Sequence, residues 1–503
     1  MNKRKAVIKN ALFGFGGQFL VMLVGIIVPR MIMSGYGSEM NGLLATLGQI
    51  FVFIALLGAG VNQSSVNALY PPIKNSDRDA VSGIISVTQR YFNRVAAYYG
   101  ICVLLFSAVG PFILRTSIDK AEVFLIILLE GAASVISLRF IESYNALLTA
   151  DGRGYFISAV SLVNKLAVYL MKIVLSLMGV DILYLQAFGI VIALLRVVIY
   201  RQYMKKHYGW LIIKKADNAP PLRDRNSFLV TQIAWTVFSS TDMIILSVFL
   251  SAEFASVYNV YNMIFANLAL LLNEVYANVS FLLGRTYNEN IQEYEKYHDA
   301  YSSVFLGAMT IMMCVSTVMC LPFVRLYTRG INDINYIYPA LPVLFSLVQL
   351  LSWSRYVPGN LTGLAGYAKK TSYISVMEAV INIIASLILV HFFGIYGVVA
   401  GTVIAQPIKV VWCIYISDKK VIRRSYLKTV KILLANYLLF GCAVLTEKLI
   451  DFRINGFGTF LMWSAICLAA FTFTGAVLNI IANPKMLKYV KTIISQRKIQ
   501  GNN

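Results

Sequence analysis

The sequence predicts an all-α polytopic membrane protein: about fourteen membrane-spanning helices, set as two parallel six-helix bundles and a C-terminal helix pair, with both termini cytoplasmic. Three observations lead there. Apolar residues make up 58% and charged residues 13% of the 503, and mean hydropathy is +0.70; soluble domains average about 45–50% and about 25%. The apolar excess recurs from end to end in stretches of about 20 residues, the length that spans a bilayer as a helix. Finally, 44 Lys and Arg against 23 Asp and Glu give a formal charge of +21, and that charge is distributed between the apolar stretches in a pattern that orients them.

The windows run 10–34, 41–65, 95–114, 121–148, 155–178, 182–200, 228–250, 254–283, 301–327, 337–365, 372–393, 396–417, 430–447 and 457–482. The first follows Met1-Asn2-Lys3-Arg4-Lys5, a basic start like that of a signal peptide. It continues for a full span without a small-residue cleavage site, so it is read as a retained helix. Phe13-Gly14-Phe15-Gly16-Gly17 inside it reads as a close helix-packing surface, not a nucleotide loop. The ninth and fourteenth windows are the clearest, since 302–324 and 456–482 hold no charge; the thirteenth, bounded by Lys431 and Glu447, is the weakest.

Placing the N-terminus inside and alternating puts 31 basic residues in cytoplasmic segments, five in outer loops (Arg115, Lys120, Arg329, Lys448, Arg453) and eight within spans. That asymmetry is the positive-inside signature, and a missed or added span early in the chain would scramble it. The basic residues are spread over many short loops, which argues against a nucleic-acid partner. No GxxxxGK[ST] motif, no HExxH and no paired CxxC occurs, and the six cysteines are scattered, so no cofactor or metal is expected. No loop exceeds about 30 residues, too little to build an enzyme's carboxylate centre outside the membrane.

The 201–227 loop, with Ala219-Pro220-Pro221, separates a first bundle over 1–200 from a second over 228–417. An accessory pair (418–482) and a basic tail (483–503) follow. The halves show weak similarity at an offset near 214: Ser38-Glu39-Met40-Asn41-Gly42-Leu43 aligns with Ala252-Glu253-Phe254-Ala255-Ser256-Val257, and Gly179-Val180 with Gly394-Ile395. Internal repeats around a midplane site are a common plan of secondary transporters.

The stretch Leu57-Gly58-Ala59-Gly60-Val61-Asn62-Gln63-Ser64-Ser65-Val66-Asn67-Ala68-Leu69-Tyr70-Pro71-Pro72 resembles the polysaccharide-transporter (Wzx-like) flippases. So does Gly394-Ile395-Tyr396-Gly397-Val398-Val399-Ala400-Gly401-Thr402. That family shares a superfamily with the MATE drug exporters and the peptidoglycan lipid flippases. The resemblance implies translocation of a lipid-linked oligosaccharide from the inner to the outer leaflet. Its motifs are soft patterns of small and apolar residues, so the candidate site is read from the charges of this chain.

Apart from Glu122, Lys431 and Glu447 at window ends, thirteen charged residues fall within the windows: Arg30, Arg139, Lys165, Lys172, Arg196, Arg325, Arg355 and Lys409, with Glu130, Glu142, Asp242, Glu274 and Glu378. Each costs roughly 2.5–3.5 kcal/mol at mid-helix, so each must face a bundle interior, a cavity or the interface. Eight against five leaves three positive charges over, as an anionic ligand requires. Arg196 and Arg325 lie near the boundaries and read as snorkelling; Arg30 and Lys409 sit deeper. Lys165, Tyr169 and Lys172 form one stripe at i, i+4 and i+7 beside Asn164, with no acid on their helix. Arg139 can pair with Glu142 at i+3, whereas Arg355 has no acid nearby in sequence.

Lys165, Lys172, Arg355, Arg139 and Arg30 are therefore the candidate substrate-binding cations. Asp242, Glu378 and Glu274 are the candidate ion-coupling or charge-pairing acids, because desolvation makes a buried carboxylate a proton carrier. The expectation is a non-enzymatic flippase of the cytoplasmic membrane moving a diphosphate-linked oligosaccharide for polysaccharide biosynthesis. Its partners would be membrane lipids and the polymerase or glycosyltransferases of that route. The alternatives are a MATE-like small-molecule exporter, which calls for an acid-dominated cavity, and a peptidoglycan lipid precursor flippase.

Overall fold

A computed structural model describes residues 3–58, 61–213, 225–450, 452–487 and 489, and contains helices and turns with no strand among them. The linker read over 201–227 falls outside the described residues at 214–224, and the tail read over 483–503 does so at 488 and 490–503. Thirteen helices are long and apolar enough to cross a membrane. The chain is a multi-pass membrane protein.

Two compact units divide the chain, Met1–Ser256 and Val257–Asn503. The first holds α1 (Lys3–Tyr36), α2 (Ser38–Ala55), α3 (Val61–Lys74), α4 (Arg78–Ile113), α5 (Lys120–Phe140), α6 (Glu142–Ala150), α7 (Gly154–Leu177), α8 (Ile182–His207) and α9 (Arg225–Phe249), and the first turn of α10 (Ala252–Glu289). The second continues along α10 into α11 (Ile291–Tyr327), α12 (Leu341–Ser354), α13 (Tyr356–Leu364), α14 (Ala368–Phe393), α15 (Ile395–Ala405) and α16 (Pro407–Ile414). It ends with α17 (Leu427–Leu449) and α18 (Phe457–Ala482).

The tenth window is the one missing from the thirteen spans, because it forms two short helices, α12 and α13, parted at Arg355. Pro358 has no N–H to return to the carbonyl of Ser354, so the ladder is interrupted there. The fourth window breaks in the same way, into α5 and α6 at Ile141. These breaks are repeat-related. A spacing of 214 residues separates Ile141 from Arg355, the ends of the nine-residue helices α6 and α13 at Ala150 and Leu364, and the starts of α7 and α14 at Gly154 and Ala368. It also separates Gly152 from Gly366, whose φ of 72° and 80° place both in the left-handed region that favours glycine. The repeat, faint in sequence, is thus kept in the backbone at these positions.

In the first unit α1 lies along α7, and Gly17 of the glycine-rich run sits beneath Leu162, as close packing requires. The aligned loops of the two repeats meet directly. Gly42 of α2 lies on the start of α10, where an added Cβ would fall 1.6 Å from the carbonyl oxygen of Ala252. Asn41 Nδ2 donates to Ser256 Oγ at 2.7 Å, and the hydroxyls of Thr46 and Ser247 are 2.5 Å apart. Arg115, between α4 and α5, straps this junction: its N–H donates to Ser247 O and its own carbonyl accepts from Ala252 N, both at 3.0 Å.

In the second unit α11 is the central helix, with 72% of its apolar window buried against 22% for α18. Lipid tails are as apolar as leucine, so hydrophobicity alone cannot hold α17 and α18 to it. Close packing and buried amides do. Asn436 and Asn479 exchange hydrogen bonds at 3.0 and 3.2 Å, and Gly307 of α11 leaves room for the Asn479 amide. The family-like stretch from Gly394 explains itself in similar terms, because Gly397 lets α15 fold back onto the end of α14. A Cβ there would lie 2.1 Å from the Leu389 carbonyl oxygen. Gly397→Val is expected to destabilise the protein by at least about 1–3 kcal/mol, read as a lower unfolding temperature in detergent; an unchanged transition would refute the close approach.

Candidate functional site

Interrupted spans at corresponding positions of two repeats are where secondary transporters in general place substrate and ion sites, because irregular backbone inside a membrane must line a cavity or be buried in protein. Each unit builds polar chemistry around its break.

In the first unit the break frees backbone groups that side chains then occupy. Gln89 Nε2 donates to the Arg139 carbonyl at 2.7 Å, and Ser143 Oγ donates to Gln89 Oε1. Glu142, the first residue after the break, accepts from Asn145 Nδ2 at 3.3 Å. The i, i+3 ion pair expected between Arg139 and Glu142 does not form among the described residues. Ile141 interrupts the helix between them, so the spacing no longer sets both on one face. Arg139 is exposed, with its guanidinium 5.6 Å from the Phe140 ring.

Glu142 opens into a cavity of 690 Å³ whose polar lining is Asn62, Gln63, Glu142, Thr149, Gln232 and Thr236. No Lys or Arg is among its described lining residues, although Arg196 lies close enough to act electrostatically on Glu142. A second cavity of 280 Å³ lies between α5, α7 and α8, and there Lys172 and Arg196 meet Glu130, with Asn164, Gln186 and Ser134 beside them. Arg196, read from sequence as a snorkelling boundary residue, thus lines an internal cavity. The stripe of α7 is divided. Lys172 points into the cavity, Tyr169 lies over Gly25 of α1, and Lys165 is exposed.

In the second unit Arg355 stands at the break itself, 7% exposed. Its Nη1 donates to Oε1 of Glu378 on α14, and Lys409 Nζ of α16 lies 3.4 Å from Oε2 of the same carboxylate. Glu378 is 2% exposed. Two of the residues picked separately from sequence, a candidate cation and a candidate coupling acid, are therefore partners, and one acid serves two cations. Asn382, one turn along α14, donates to Thr402 Oγ1 at 2.7 Å and ties α14 to α15.

The remaining candidates are dispersed. Asp242 is buried on α9. Arg30 is half-buried on α1, and Glu274 is exposed on α10. Sequence reasoning missed Glu130 as a cavity residue and Lys409 as the third member of the triad. The polar sequence Glu130, Ser134, Ser137 at i, i+4 and i+7 was the available signal for the first. The second had none, since Lys409 and Glu378 meet only through the packing of α16 on α14.

No protein-family model and no curated protein matches this sequence. Solved structures do match in fold. The chain is similar to "Lipid II flippase MurJ, inward closed conformation" at TM-score 0.67 and 14% identity, over 95% of this chain and 99% of that one. It is similar to an inward-facing multidrug resistance MATE family transporter of the MOP superfamily at TM-score 0.61 and 14% identity, over 85% and 99%. An outward-facing MATE transporter of that superfamily matches at TM-score 0.57 and 13% identity, over 86% and 96%. At these identities the likeness is one of architecture: this chain has the polytopic helical fold of those flippase and multidrug-transporter structures.

Proposed function

We propose that the protein is an alternating-access flippase that carries the head group of an anionic, diphosphate-linked oligosaccharide across the cytoplasmic membrane, serving polysaccharide biosynthesis. The observation that carries this reading is a charge pattern repeated in both units. Lys172 and Arg196 share a cavity with one acid, Glu130, and Arg355 and Lys409 share one acid, Glu378. Arg355 and Lys409 outnumber the acid they share, and in the first unit Arg196 also acts electrostatically on Glu142; an excess of positive charge within membrane-spanning helices is costly unless a ligand answers it. Phosphate oxygens answer it through charge-assisted hydrogen bonds. The cavity beside Glu142, lined by three amides and two hydroxyls, suits the uncharged sugars. No phosphate-binding loop occurs in the chain, so an ion gradient, the membrane potential or removal of product drives the cycle. Asp242, buried on α9, is the candidate to carry a coupling ion. A polymerase or glycosyltransferases acting on the same lipid-linked sugar are the partners this reading implies.

A second reading has one observation in its favour. Glu142 in a cavity without Lys or Arg among its described lining residues is what an exporter of small cations, of the kind the MATE neighbours represent, would use. The experiment that separates the two measures flipping of a lipid-diphosphate oligosaccharide in proteoliposomes. Lys172→Ala with Arg196→Ala is expected to reduce it at least a hundredfold at normal membrane abundance. Full flipping by the double variant, or efflux of a cationic dye that depends on Glu142, would favour the exporter. Flipping of a peptidoglycan precursor in preference to other lipid-linked sugars would instead favour the peptidoglycan lipid precursor reading.

A further inference from the structure

On the face of the second unit where α11 and α17 begin and α18 ends, a cavity of 650 Å³ is lined by Lys296, Lys428, Lys431, Lys485, Asn483 and Tyr489, among others. Asn483 fixes its wall, donating to the Asp299 carbonyl at 3.2 Å and to Ser303 Oγ at 3.1 Å. Two carboxylates, Glu295 and Asp299, border the cavity, and both are already engaged by Arg424. Its Nη1 and Nη2 donate to the two Asp299 oxygens at 2.7 and 2.6 Å, Nη1 reaches Glu295 Oε1 at 3.2 Å, and Nε donates to Asp418 Oδ1 at 2.9 Å. Burial alone would lower the pKa of Arg424, but the Asp299 and Asp418 carboxylates outweigh it and raise it. Lys428 adds a contact to Glu295 at 2.9 Å. Among the described residues no ion pair is formed by Lys296, Lys431 or Lys485, so the cavity holds unanswered positive charge.

Its surroundings select the kind of anion. Leu427, Leu434 and Leu438 of α17 and Ile481 of α18 are 56%, 57%, 64% and 70% exposed, as side chains facing lipid tails would be. The basic loops of the chain mark this side as the cytoplasmic one, whose leaflet carries anionic lipid. We propose that this cavity is a binding site for the phosphodiester head group of an anionic phospholipid, with its acyl chains along the outer faces of α17 and α18. The bound lipid joins α17 and α18 to the start of α11 from the membrane side. It complements the Arg424 cluster, which joins them from within, and this role is separate from the transported substrate.

Full-length protein in a neutral detergent provides the test, without any transport assay. Thermal unfolding and native mass spectrometry are followed during titration with phosphatidylglycerol, phosphatidylcholine or inorganic phosphate. Phosphatidylglycerol is expected to bind and to raise the unfolding temperature saturably, while phosphatidylcholine and phosphate leave it unchanged. Lys431→Ala with Lys485→Ala should weaken phosphatidylglycerol about thirtyfold, the weight of two lysines beside a lipid surface. Lys431→Arg with Lys485→Arg should keep its affinity, as should Lys369→Ala with Lys370→Ala, which removes equal charge elsewhere. Equal binding of phosphatidylcholine, stabilisation by phosphate alone, or undiminished binding by the Lys431/Lys485 alanine variant would overturn the site.

Discussion

Glu378→Gln is expected to destabilise the protein by about 3–5 kcal/mol, the cost of breaking a buried ion pair by removing one partner. The variant would reach the membrane at a fraction of the normal abundance. The size follows from the arrangement: Glu378 is the single acid between Arg355 and Lys409, and without it two cations face each other among buried side chains. Arg355→Met acts differently. It leaves Glu378 with Lys409, one acid and one cation, so the protein should fold and insert at near-normal levels. What it removes is the positive charge at the break between α12 and α13, and flipping should fall at least a hundredfold. Restoring electroneutrality supplies the control. Glu378→Gln combined with Arg355→Met and Lys409→Met leaves no charge in the triad and should recover much of the lost stability. Quantitative immunoblotting of membranes and thermal unfolding in detergent read the first effect, and the proteoliposome assay reads the second. Normal abundance of Glu378→Gln would show that the triad is not a closed electrostatic unit, and full flipping by Arg355→Met would remove it from the substrate path.

Gly42→Val should abolish the junction between the start of α2 and the start of α10. Any side chain at Gly42 must displace the Ala252 backbone, since even a Cβ would sit 1.6 Å from its carbonyl oxygen and 2.8 Å from the Ser256 nitrogen. The two segments are repeat mates, so the contact is a near-symmetric meeting of equivalent helix starts on the side opposite the basic loops. In a background without the six native cysteines, Asn41→Cys with Ser256→Cys should cross-link readily, because the native side chains are 2.7 Å apart. Adding Gly42→Val should cut the yield at least tenfold. Transport should fall with it, because alternating access needs a state in which that side is shut. Undiminished cross-linking in the valine variant would mean that the junction tolerates bulk and is no gate.

Much of this was legible in the chain. Window lengths and the partition of Lys and Arg are one-dimensional quantities, set by bilayer thickness and by the transfer cost of charge, and they predicted the spans without any contact information. The offset near 214 was visible at Ser38–Leu43 and Gly179, but the strongest evidence for the repeat lay in the backbone. The stops at Ile141 and Arg355 share no residue type. What they share is a helix interrupted at equivalent depth, which sequence similarity does not record.

The candidate site divides along the same line. That the membrane-embedded charges carry a positive excess is a property of composition, and the sequence determined it alone. Which charges belong together was decided only by tertiary structure. Helices packed side by side bring into hydrogen-bonding distance residues far apart in the chain, as with Arg355, Glu378 and Lys409, while a break of one residue separates Arg139 from Glu142 despite their i, i+3 spacing. Lys165 and Lys172 share a face of α7 but lie two turns apart along it, and only Lys172 falls where α5 and α8 close a cavity with Arg196. Coulombic energy falls off with distance through a low-dielectric interior, so the chemistry of these groups is fixed by neighbours that only packing supplies.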